Sequence, residues 1–374
     1  MSDNILLQVD DLPVQQNRVY STAQEALDCP KGNVLLVQDQ GTGIVHNSAF
    51  SPDLVIYDQN YQNEQGCSRI FQQHMYEVAR IVQRHFGKKS ILEVGCGKGT
   101  FLEILRSMGF KAVGLDPAYE GEESYVVKEP FSPSLGMTGE AIILRHVLEH
   151  VPNPLRFLES IAAANDGKGL IYIEVPCLDW ICDHRAWFDI FYEHVNYFRL
   201  SDFSRMFGRI IESGWCFGGQ YLYVVADLTT IGLSSEGRAG DFSFPDDFFS
   251  SIDLAIDKIQ YSKSKKHIVW GAASKGVIFV LHLLRRGAVV PEFAIDISPA
   301  KQGRFMPATG LPVLAPENGL PCLSSGDSIF VMNSNYLEEI RLQAGSRFIY
   351  HTVDQKNGLK HNGESKHLKA TFCN

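Results

Sequence analysis

Apolar and polar residues follow two different periods along the chain, and each period predicts one type of element. In residues 68–86 apolar positions recur at three- and four-residue spacing, which predicts an amphipathic helix that Gly87 ends. Before this helix the pattern is mixed and shows little periodicity. Residues 34–38 are typical of a strand, 39–43 of a turn, and 44–47 of a second strand that closes a hairpin.

After Gly87, short apolar runs alternate with helical patterns. The predicted strands are 90–94, 112–115, 141–144 and 170–175, and the predicted helices are 100–108 and 155–164. This alternation predicts parallel strands covered by helices, which is a doubly wound sheet. A late apolar run at 221–226 predicts a further strand at the edge of that sheet.

The α/β pattern then starts again after a stretch rich in Gly, Ser and Asp at 227–247. The predicted elements are a helix at 246–261, a strand at 267–270, a helix at 275–284, and strands at 293–296 and 328–332. We therefore expect an α/β fold with a mostly parallel main sheet and a second, smaller α/β domain. The predicted divisions are a small N-terminal domain at 1–68, the main domain at 69–226, a linker at 227–250, the second domain at 251–354, and a loosely ordered tail at 355–374.

Charge and cysteine content narrow the classes of partner and compartment. The chain has 34 basic and 43 acidic residues, a net charge of −9, so it lacks the basic face that nucleic-acid binding needs. Eight cysteines form no C-x-x-C pair, which argues against a disulfide framework and for a reducing cytoplasm. We also expect no signal peptide, because no basic patch followed by an apolar run stands near the N-terminus, and no membrane span, because the longest apolar run, 277–284, is too short.

A glycine-rich loop joins the first strand of the main sheet to the following helix. Gly95, Gly97 and Gly99 stand at alternate positions in residues 91–100, where they allow a sharp turn and a close approach of a ligand to the main chain. In a doubly wound sheet this loop lies at the carboxyl end of a strand, where ligands bind. A purely structural turn is the plainer alternative.

Two acidic residues indicate which ligand suits this loop. Asp116 stands 19 positions after Gly97, at the end of the second strand, where a carboxylate accepts hydrogen bonds from ribose hydroxyls. Glu93 precedes the glycines; it would repel a pyrophosphate but attract a sulfonium and an ammonium group. The pattern thus favours S-adenosylmethionine over a nicotinamide dinucleotide, which stays the alternative.

Residues 189–198 concentrate candidate catalytic side chains. This segment follows the strand at 170–175 and holds a carboxylate, an imidazole and phenols. His194 is the side chain best suited to take a proton near neutral pH, and Glu193, Tyr192 or Tyr197 could orient it or stabilise an enolate. A packed aromatic loop with a structural histidine is the competing interpretation.

Three segments together resemble the class I S-adenosylmethionine-dependent methyltransferases: Glu93-x-Gly95-x-Gly97-x-Gly99, Asp116, and His146-Val147-Leu148-Glu149-His150 with Pro152 and Pro154. The resemblance implies a Rossmann-like domain and S-adenosylmethionine as cofactor. The cofactor-binding residues that it implies are Glu93, Gly95, Cys96, Gly97, Gly99, Asp116, Pro117, Glu129, Phe131, Arg145 and His146. His146 and His150 could also be a metal pair by their i, i+4 spacing, but we predict no metal there.

The order of segments over residues 30–340 is similar to that of the three-domain sugar-nucleotide C-methyltransferases, which act on keto-deoxysugars. That resemblance implies that His194 removes a proton beside a ketone, with Glu193 as its partner. The substrate-binding residues that it implies are Asn196, Gly219, Gln220, Ser274, Lys275 and Arg304.

Two departures from that family stand out. Only Cys29 and Cys67, with His46 between them, stand where the family binds zinc, so we predict no structural zinc. Phe191 replaces the phenol that the family carries two residues before the glutamate.

A second glycine-rich turn at 270–276 links a strand to a helix in the smaller domain. Its main-chain N–H groups and Lys275 could receive a phosphate, although a structural turn explains the glycines equally well. Asp296, Lys301, Gln302, Gly303 and Arg304 form a further polar group at a strand end.

The predicted function is methylation of a small molecule, with a carbon atom of a nucleotide-linked keto-sugar as the acceptor. The alternatives are O- or N-methylation of a glycan precursor or another metabolite, and a non-catalytic protein that senses a nucleotide-like ligand. Nucleic-acid methylation is disfavoured by the charge and by the absence of an [N/D]-P-P-[Y/W] segment.

Overall fold

The computed structural model describes residues 4–56, 61–62, 65–232, 239–263 and 265–354, which build three sheets. The predicted tail at 355–374 and residues 233–238 of the predicted linker lie outside the described residues. Within the described part of the chain, no helix has both the length and the apolar character that a bilayer crossing requires.

The N-terminal part of the chain forms an antiparallel sheet. Its elements are β1 (Leu7–Pro13), α1 (Ala23–Leu27), β2 (Lys31–Gln38) and β3 (Val45–Asn47). The sequence predicted the β2–β3 hairpin but missed β1, in which the register shifts between Val9 and Leu12 and Asp11 has a φ of 52°. This bulge breaks the alternation of apolar and polar residues that announces a strand.

The main domain is the doubly wound sheet that the sequence predicted. Its first elements are α2 (Arg69–Phe86), β4 (Ile91–Val94), α3 (Thr100–Ser107), β5 (Ala112–Leu115), β6 (Val126–Val127), β7 (Ala141–Arg145), α4 (Pro154–Ala164) and β8 (Leu170–Pro176). They are followed by α5 (Leu178–Asp183), β9 (Asn196–Tyr197), α6 (Leu200–Met206), β10 (Ile210–Cys216) and β11 (Tyr221–Asp227). Ser68 caps α2 by accepting a hydrogen bond from the Phe71 N–H, and Gly87 ends that helix.

The strand order of the main sheet is β10-β11-β8-β7-β4-β5-β6. The five strands from β8 to β6 are parallel, and β11 runs antiparallel to both β8 and β10. The chain moves outward from β4 in one direction and returns at β7 to build the other half. The crevice between the carboxyl ends of β4 and β7 is therefore the position where a doubly wound sheet binds its ligand.

The edge strands of this sheet are β10 and β6, so our prediction that 221–226 forms an edge was wrong. Residues of β10 are alternately half-buried and exposed, and the strand carries Glu212, Ser213 and Gly214. An edge strand with one face in solvent needs few apolar residues, which is why its sequence did not stand out.

The C-terminal part of the chain forms a second, wholly parallel sheet. Its elements are α7 (Ser250–Gln260), β12 (His267–Trp270), α8 (Ser274–Arg285), β13 (Ala294–Ile295), β14 (Val313–Leu314), α9 (Pro316–Gly319), β15 (Ser328–Val331), α10 (Leu337–Ala344) and β16 (Ile349–Thr352). The order β14-β13-β12-β15-β16 reverses direction between β12 and β15, which creates a second crevice beside Gly271. The predicted fold class, a doubly wound main sheet with a smaller α/β domain, is confirmed.

Contacts between the three parts of the chain bring both crevices together. The short strand β9 leaves the main domain and pairs with β3 of the N-terminal sheet. Asn17 donates from Nδ2 to the Ser274 hydroxyl at 3.1 Å, and the Ser68 hydroxyl donates to Glu339 at 2.6 Å. Each of the three parts therefore contacts the other two, and the site described below forms where all three meet.

Candidate active site

The first glycine-rich loop has a backbone that only glycine adopts easily. Gly95, Gly97 and Gly99 have φ values of 76°, 56° and 83°. A β-carbon on Gly95 would lie 2.3 Å from Cγ2 of Val147, so the loop after β7 packs directly on the loop after β4. The glycines thus allow the tight loop that their spacing predicted, with main-chain groups that a ligand can approach closely.

Asp116 at the end of β5 holds this loop in place. Its Oδ2 accepts a hydrogen bond from the Gly97 N–H at 2.8 Å, and its Oδ1 accepts one from the Ala118 N–H at 2.8 Å. Burial raises the pKa of this carboxyl despite both hydrogen bonds. The carboxylate is therefore fixed beside the loop in the position predicted for a ribose contact.

Glu93 is a buried carboxylate with an unsatisfied oxygen. Its side chain lies in the middle of β4 and is 2% exposed, and Oε2 has no hydrogen-bond partner. Burial raises its pKa from 4.5 to about 7, against the nearby charge of Arg145, while Asp116 raises it further. A buried acid whose pKa stays raised beside Arg145 can be stabilised by a further cation, so the residues here fit a ligand with a sulfonium or ammonium group.

A network around Glu174 joins β7, β8 and α2, and the sequence analysis missed it. Glu174 is fully buried and accepts hydrogen bonds from His74 Nε2 at 3.0 Å, Arg145 Nη2 at 3.3 Å and the Tyr172 hydroxyl at 2.8 Å. Burial alone would raise its pKa, but Arg145, His74 and His146 hold it well below the ordinary value. Two signals were available: a lone acid within an apolar strand, and a histidine on the apolar face of α2.

His146 is placed by this network at the carboxyl end of β7. Its φ of 53° is strained for a residue with a side chain, and its ring lies 3.0 Å from Glu174 and 3.4 Å from Glu149. Although burial opposes it, these two carboxylates raise the pKa of His146 to about 9. The imidazole is therefore positively charged at neutral pH and rests against the Tyr221 ring at 4.5 Å.

The remaining predicted cofactor residues lie around the loop with varied exposure. Cys96 is buried, and its Sγ would meet a β-carbon on Gly114 at 2.6 Å, so it packs the glycine-rich loop against β5. Pro117 and Glu129 are exposed, and the Phe131 ring meets Phe157 edge-on at 5.7 Å.

A cavity of about 230 Å³ lies where the three domains meet, next to His146. The N-terminal part of the chain contributes Asn17 and Tyr61, among others. The side chains that the main and C-terminal domains contribute include His146, Glu149, His150, Asp189, Phe191, His194, Gln220, Tyr221, Trp270, Ser274, Lys275, Asp296, Lys301, Asn333 and Tyr336. The cavity thus connects the cofactor side of the main sheet with the second glycine-rich turn.

His194 is half-buried in the wall of this cavity. Its ring lies 4.0 Å from the Phe191 ring and 5.1 Å from the His150 ring, and its Nδ1 is buried without a hydrogen-bond partner. Burial, together with the charges of His150, His146 and Lys275, holds the pKa of His194 well below its ordinary value. The imidazole is therefore neutral at pH 7 and keeps a lone pair.

Glu193 points away from the His194 ring. Its Oε1 accepts a hydrogen bond from the Gln16 N–H at 2.5 Å, so the carboxylate anchors the N-terminal segment. Its backbone carbonyl accepts a hydrogen bond from His150 Nδ1 at 2.9 Å. Glu193 therefore positions His150 through its main-chain carbonyl. Our prediction that the carboxylate of Glu193 orients His194 was wrong.

Neither predicted catalytic phenol lines the cavity. The Tyr192 hydroxyl accepts a hydrogen bond from the Ser51 N–H at 2.8 Å, on the side of the N-terminal sheet. The Tyr197 hydroxyl is held 3.1 Å from both the N–H and the carbonyl of Phe191, where it closes the loop. These positions do not suit the enolate contact predicted for the two phenols. The tyrosines that line the cavity include Tyr61, Tyr221 and Tyr336.

Of the predicted substrate residues, Gln220, Ser274 and Lys275 line the cavity. Lys275 donates to Asp189 Oδ2 at 2.8 Å, and Gln220 accepts from Asn333 Nδ2 at 2.7 Å.

The other three predicted substrate residues lie outside the cavity wall. Asn196 donates to the Val151 carbonyl at 2.6 Å, Gly219 packs against Trp180, and Arg304 is exposed and donates to the Ser21 hydroxyl at 2.7 Å. The basic residue that does enter the cavity from this segment is Lys301, which is 4% exposed. The sequence placed Lys301 in the polar group at 296–304 but did not predict it as a substrate-binding residue.

Comparison with known proteins decides the family. A model described as "Methyltransferase domain" matches residues 68–210, and one described as "C-methyltransferase C-terminal domain" matches residues 254–350. The chain is also similar to C-methyltransferase NovU of Streptomyces niveus, with 23% identity over 345 residues that cover 80% of this chain and 81% of NovU. The chain is a class I S-adenosylmethionine-dependent methyltransferase.

Solved structures with some likeness to this methyltransferase cover less than half of the chain. N-methyltransferase NodS from Bradyrhizobium japonicum WM9, in complex with S-adenosyl-L-homocysteine, has a TM-score of 0.34 and 15% identity over 43% of this chain and 88% of NodS. The 1,6-didemethyltoxoflavin-N1-methyltransferase of Burkholderia thailandensis has a TM-score of 0.34 and 15% identity over 42% of this chain and 80% of its own.

For this methyltransferase, Asp116→Ala is expected to weaken cofactor binding by about 1–3 kcal/mol, because charge-assisted hydrogen bonds are lost and the Gly97 N–H is released. Calorimetric titration of S-adenosylhomocysteine measures the change. Asp53→Ala, at an exposed position, is the matched control and should bind as the parent does. An unchanged affinity in Asp116→Ala would refute the ribose assignment.

Proposed function

We propose that this methyltransferase methylates a carbon atom beside the ketone of a nucleotide-linked sugar, and that His194 removes the proton from that carbon. One observation carries the proposal: a neutral imidazole with an unpartnered, buried nitrogen faces a cavity that joins the cofactor side of the main sheet to a second glycine-rich turn. A small acceptor between the two domains would meet both the base and the cofactor.

Carbon methylation needs more from the protein than oxygen or nitrogen methylation does. S-adenosylmethionine, when bound, supplies a methyl group that its positive sulfur already activates. The chain must position the acceptor and remove a proton from carbon, which is feasible only beside a carbonyl. A histidine that stays neutral at pH 7 has the lone pair for this step.

The oxygen of the resulting enolate needs a hydrogen-bond donor, and we assign this role to Tyr221. Its ring lines the cavity and rests against His146, whereas Phe191 supplies no hydroxyl. Burial raises the pKa of Tyr221 well above its ordinary value, so the phenol keeps its proton and donates. His146, which is positively charged nearby, favours negative charge on the substrate oxygen.

The proposed nucleotide part of the substrate is supported by the second crevice. Lys301 is 4% exposed and faces the cavity, and the N-terminus of α8 begins at Ser274 in the cavity wall. A helix N-terminus and a buried ammonium together favour a phosphate group. Asp296 holds the turn as Asp116 does in the main domain, by accepting from the Ala272 N–H at 2.8 Å.

The comparisons support carbon as the acceptor atom. NovU is described as a C-methyltransferase, and the description of the matched C-terminal family names the same reaction. The family match spans residues 254–350, which include the residues of the second crevice.

Two measurements test this proposal. The first is transfer of a labelled methyl group from S-adenosylmethionine to nucleotide-linked 4-keto-sugars, with product analysis by mass spectrometry. The second is exchange of the hydrogen beside the ketone with deuterium from heavy water. A base that removes the proton from carbon promotes this exchange before methyl transfer. Labelled product with exchange supports the proposal; transfer to oxygen or nitrogen without exchange overturns the carbon assignment.

Lys301→Met is expected to raise KM for a nucleotide-linked acceptor by roughly 10–100-fold while kcat changes little, since a charged hydrogen bond to phosphate contributes about 1.5–3 kcal/mol. Steady-state kinetics with the nucleotide-linked sugar measures it. Lys266→Met, at the exposed Glu292 ion pair, is the control. Equal KM values in the parent and Lys301→Met would remove the phosphate contact from the proposal.

A further inference from the structure

Three side chains in the cavity wall form a group that nothing in the proposed reaction requires as a set. Glu149, His150 and His194 each offer one ligand atom, and these three atoms lie within 4.8 Å of one another. Two of the residues carry buried atoms without a hydrogen-bond partner, Oε2 of Glu149 and Nδ1 of His194. Buried polar atoms left unsatisfied in this way indicate a ligand that completes them.

Hydrogen bonds from neighbouring residues orient these side chains, as the residues that surround a metal site orient its ligands. His150 donates from Nδ1 to the Glu193 carbonyl at 2.9 Å, which fixes the orientation of its ring. The other oxygen of Glu149 lies 3.4 Å from His146 Nδ1. Metal-binding histidines commonly donate their second nitrogen to a carbonyl, and metal-binding carboxylates are held by a further hydrogen bond.

A second group in the described part of the chain, His74, Glu174 and Cys216, has a different character. Both oxygens of Glu174 are already engaged, by His74 and Arg145 on one side and by Tyr172 on the other. The carboxylate of that group is therefore already taken on both oxygens, whereas in the cavity wall Oε2 of Glu149 and Nδ1 of His194 have no hydrogen-bond partner.

We propose that Glu149, His150 and His194 bind a divalent transition-metal ion of the zinc type, and that the bound ion takes the lone pair with which His194 acts as a base. Two imidazoles and one carboxylate are a donor set that zinc accepts, with a fourth position left for water or substrate. Tetrahedral zinc needs ligand atoms about 3.4 Å apart at bond lengths of about 2.0–2.2 Å, and the three ligand atoms lie within 4.8 Å of one another, a gap that side-chain rotation can close. This proposal departs from our sequence prediction of no metal, which considered His146 with His150, and Cys29 and Cys67 with His46.

The metal site does not depend on the proposed reaction. The competition between the metal ion and the substrate proton for His194 rests on the proposed function. The ion and the substrate proton need the same lone pair, so an occupied site cannot abstract the proton. Metal binding is therefore expected to inhibit methyl transfer without displacing the cofactor.

The binding arm of the test uses Co²⁺ as a spectroscopic probe with the full chain. We expect about one equivalent to give visible absorption of a four- or five-coordinate ion, and excess Zn²⁺ to remove it. His194→Ala and Glu149→Gln should each weaken Co²⁺ binding at least tenfold. His46→Ala, at a histidine outside the cavity, should bind Co²⁺ as the parent does, and retained binding of S-adenosylhomocysteine shows that each variant is folded.

The activity arm separates the two parts of the proposal. Zn²⁺ should lower methyl transfer at least tenfold, and chelation should restore it. Absence of Co²⁺ binding in a chain that transfers methyl groups overturns the metal site alone. Stoichiometric binding without inhibition overturns the competition, and stoichiometric binding in a chain that methylates no keto-sugar removes the proposed function while the metal site stands.

Discussion

His194→Ala is expected to reduce methyl transfer by about 10²–10⁴-fold and to leave cofactor binding within about twofold of the parent. The reason is that His194 has an unpartnered nitrogen at the cavity and a pKa low enough to keep it neutral, while it makes no contact that holds the glycine-rich loop. Single-turnover transfer with labelled cofactor measures the rate, and calorimetric titration measures the affinity.

The control for this variant is His46→Ala, which removes an imidazole on β3 outside the cavity. It should transfer methyl groups at the parent rate. Hydrogen exchange beside the ketone gives a second readout, because loss of the base should stop exchange even when no cofactor is present. Turnover at the parent rate in His194→Ala would eliminate His194 as the base.

Glu93→Gln is expected to weaken binding of S-adenosylmethionine by about 2–5 kcal/mol, roughly 30-fold or more, because a buried charge partner of the cationic cofactor is lost. The effect on S-adenosylhomocysteine should be smaller, since it lacks the sulfonium charge. Glu159→Gln, at an exposed position on α4, is the matched control. Equal losses for the two ligands would show that Glu93 acts on the amino group or the loop and not on the sulfur.

The pH dependence of binding should come from the same carboxyl group. Because the pKa of Glu93 is about 7 without a cofactor, affinity for the cationic ligand should rise as pH increases through 7 and level off above 8. The stability of the chain without cofactor should change with pH in the opposite direction. Because burial disfavours the charged form of Glu93, the free energy of unfolding should fall as pH rises from about 4.5 to about 7. Both trends should vanish in Glu93→Gln, and a persistent trend would assign them to another group.

The elements that the sequence predicted correctly are those with strong local signals. The α2 helix has its apolar face, its Ser68 cap and its Gly87 end within one continuous stretch. The cofactor loop needs positive φ at three nearby positions, and glycine is the residue type that meets this need. Such signals depend on neighbours in the chain and so can be read without the fold.

The site residues that the sequence placed wrongly depend on the direction in which a side chain points. Tyr192, Glu193 and Tyr197 stand next to His194 in the sequence, yet all three bond to backbone groups away from the cavity. Adjacent residues of a loop face different neighbours. The pairing of β9 with β3 decides which side chains of this loop face the cavity and which face the N-terminal sheet. No local pattern specifies that pairing.

By itself, the sequence determined the α/β class, the glycine-rich loop with its two acids, and the histidine that faces the cavity, because each follows from periodicity, glycine spacing or residue chemistry along a short stretch. Only the tertiary structure decided that Glu174 gathers His74, Arg145 and His146, that Lys301 and not Arg304 enters the cavity, and that Glu149 and His150 stand beside His194. These groups come from distant parts of the chain, so burial and charge bring them together only when three domains pack around one cavity.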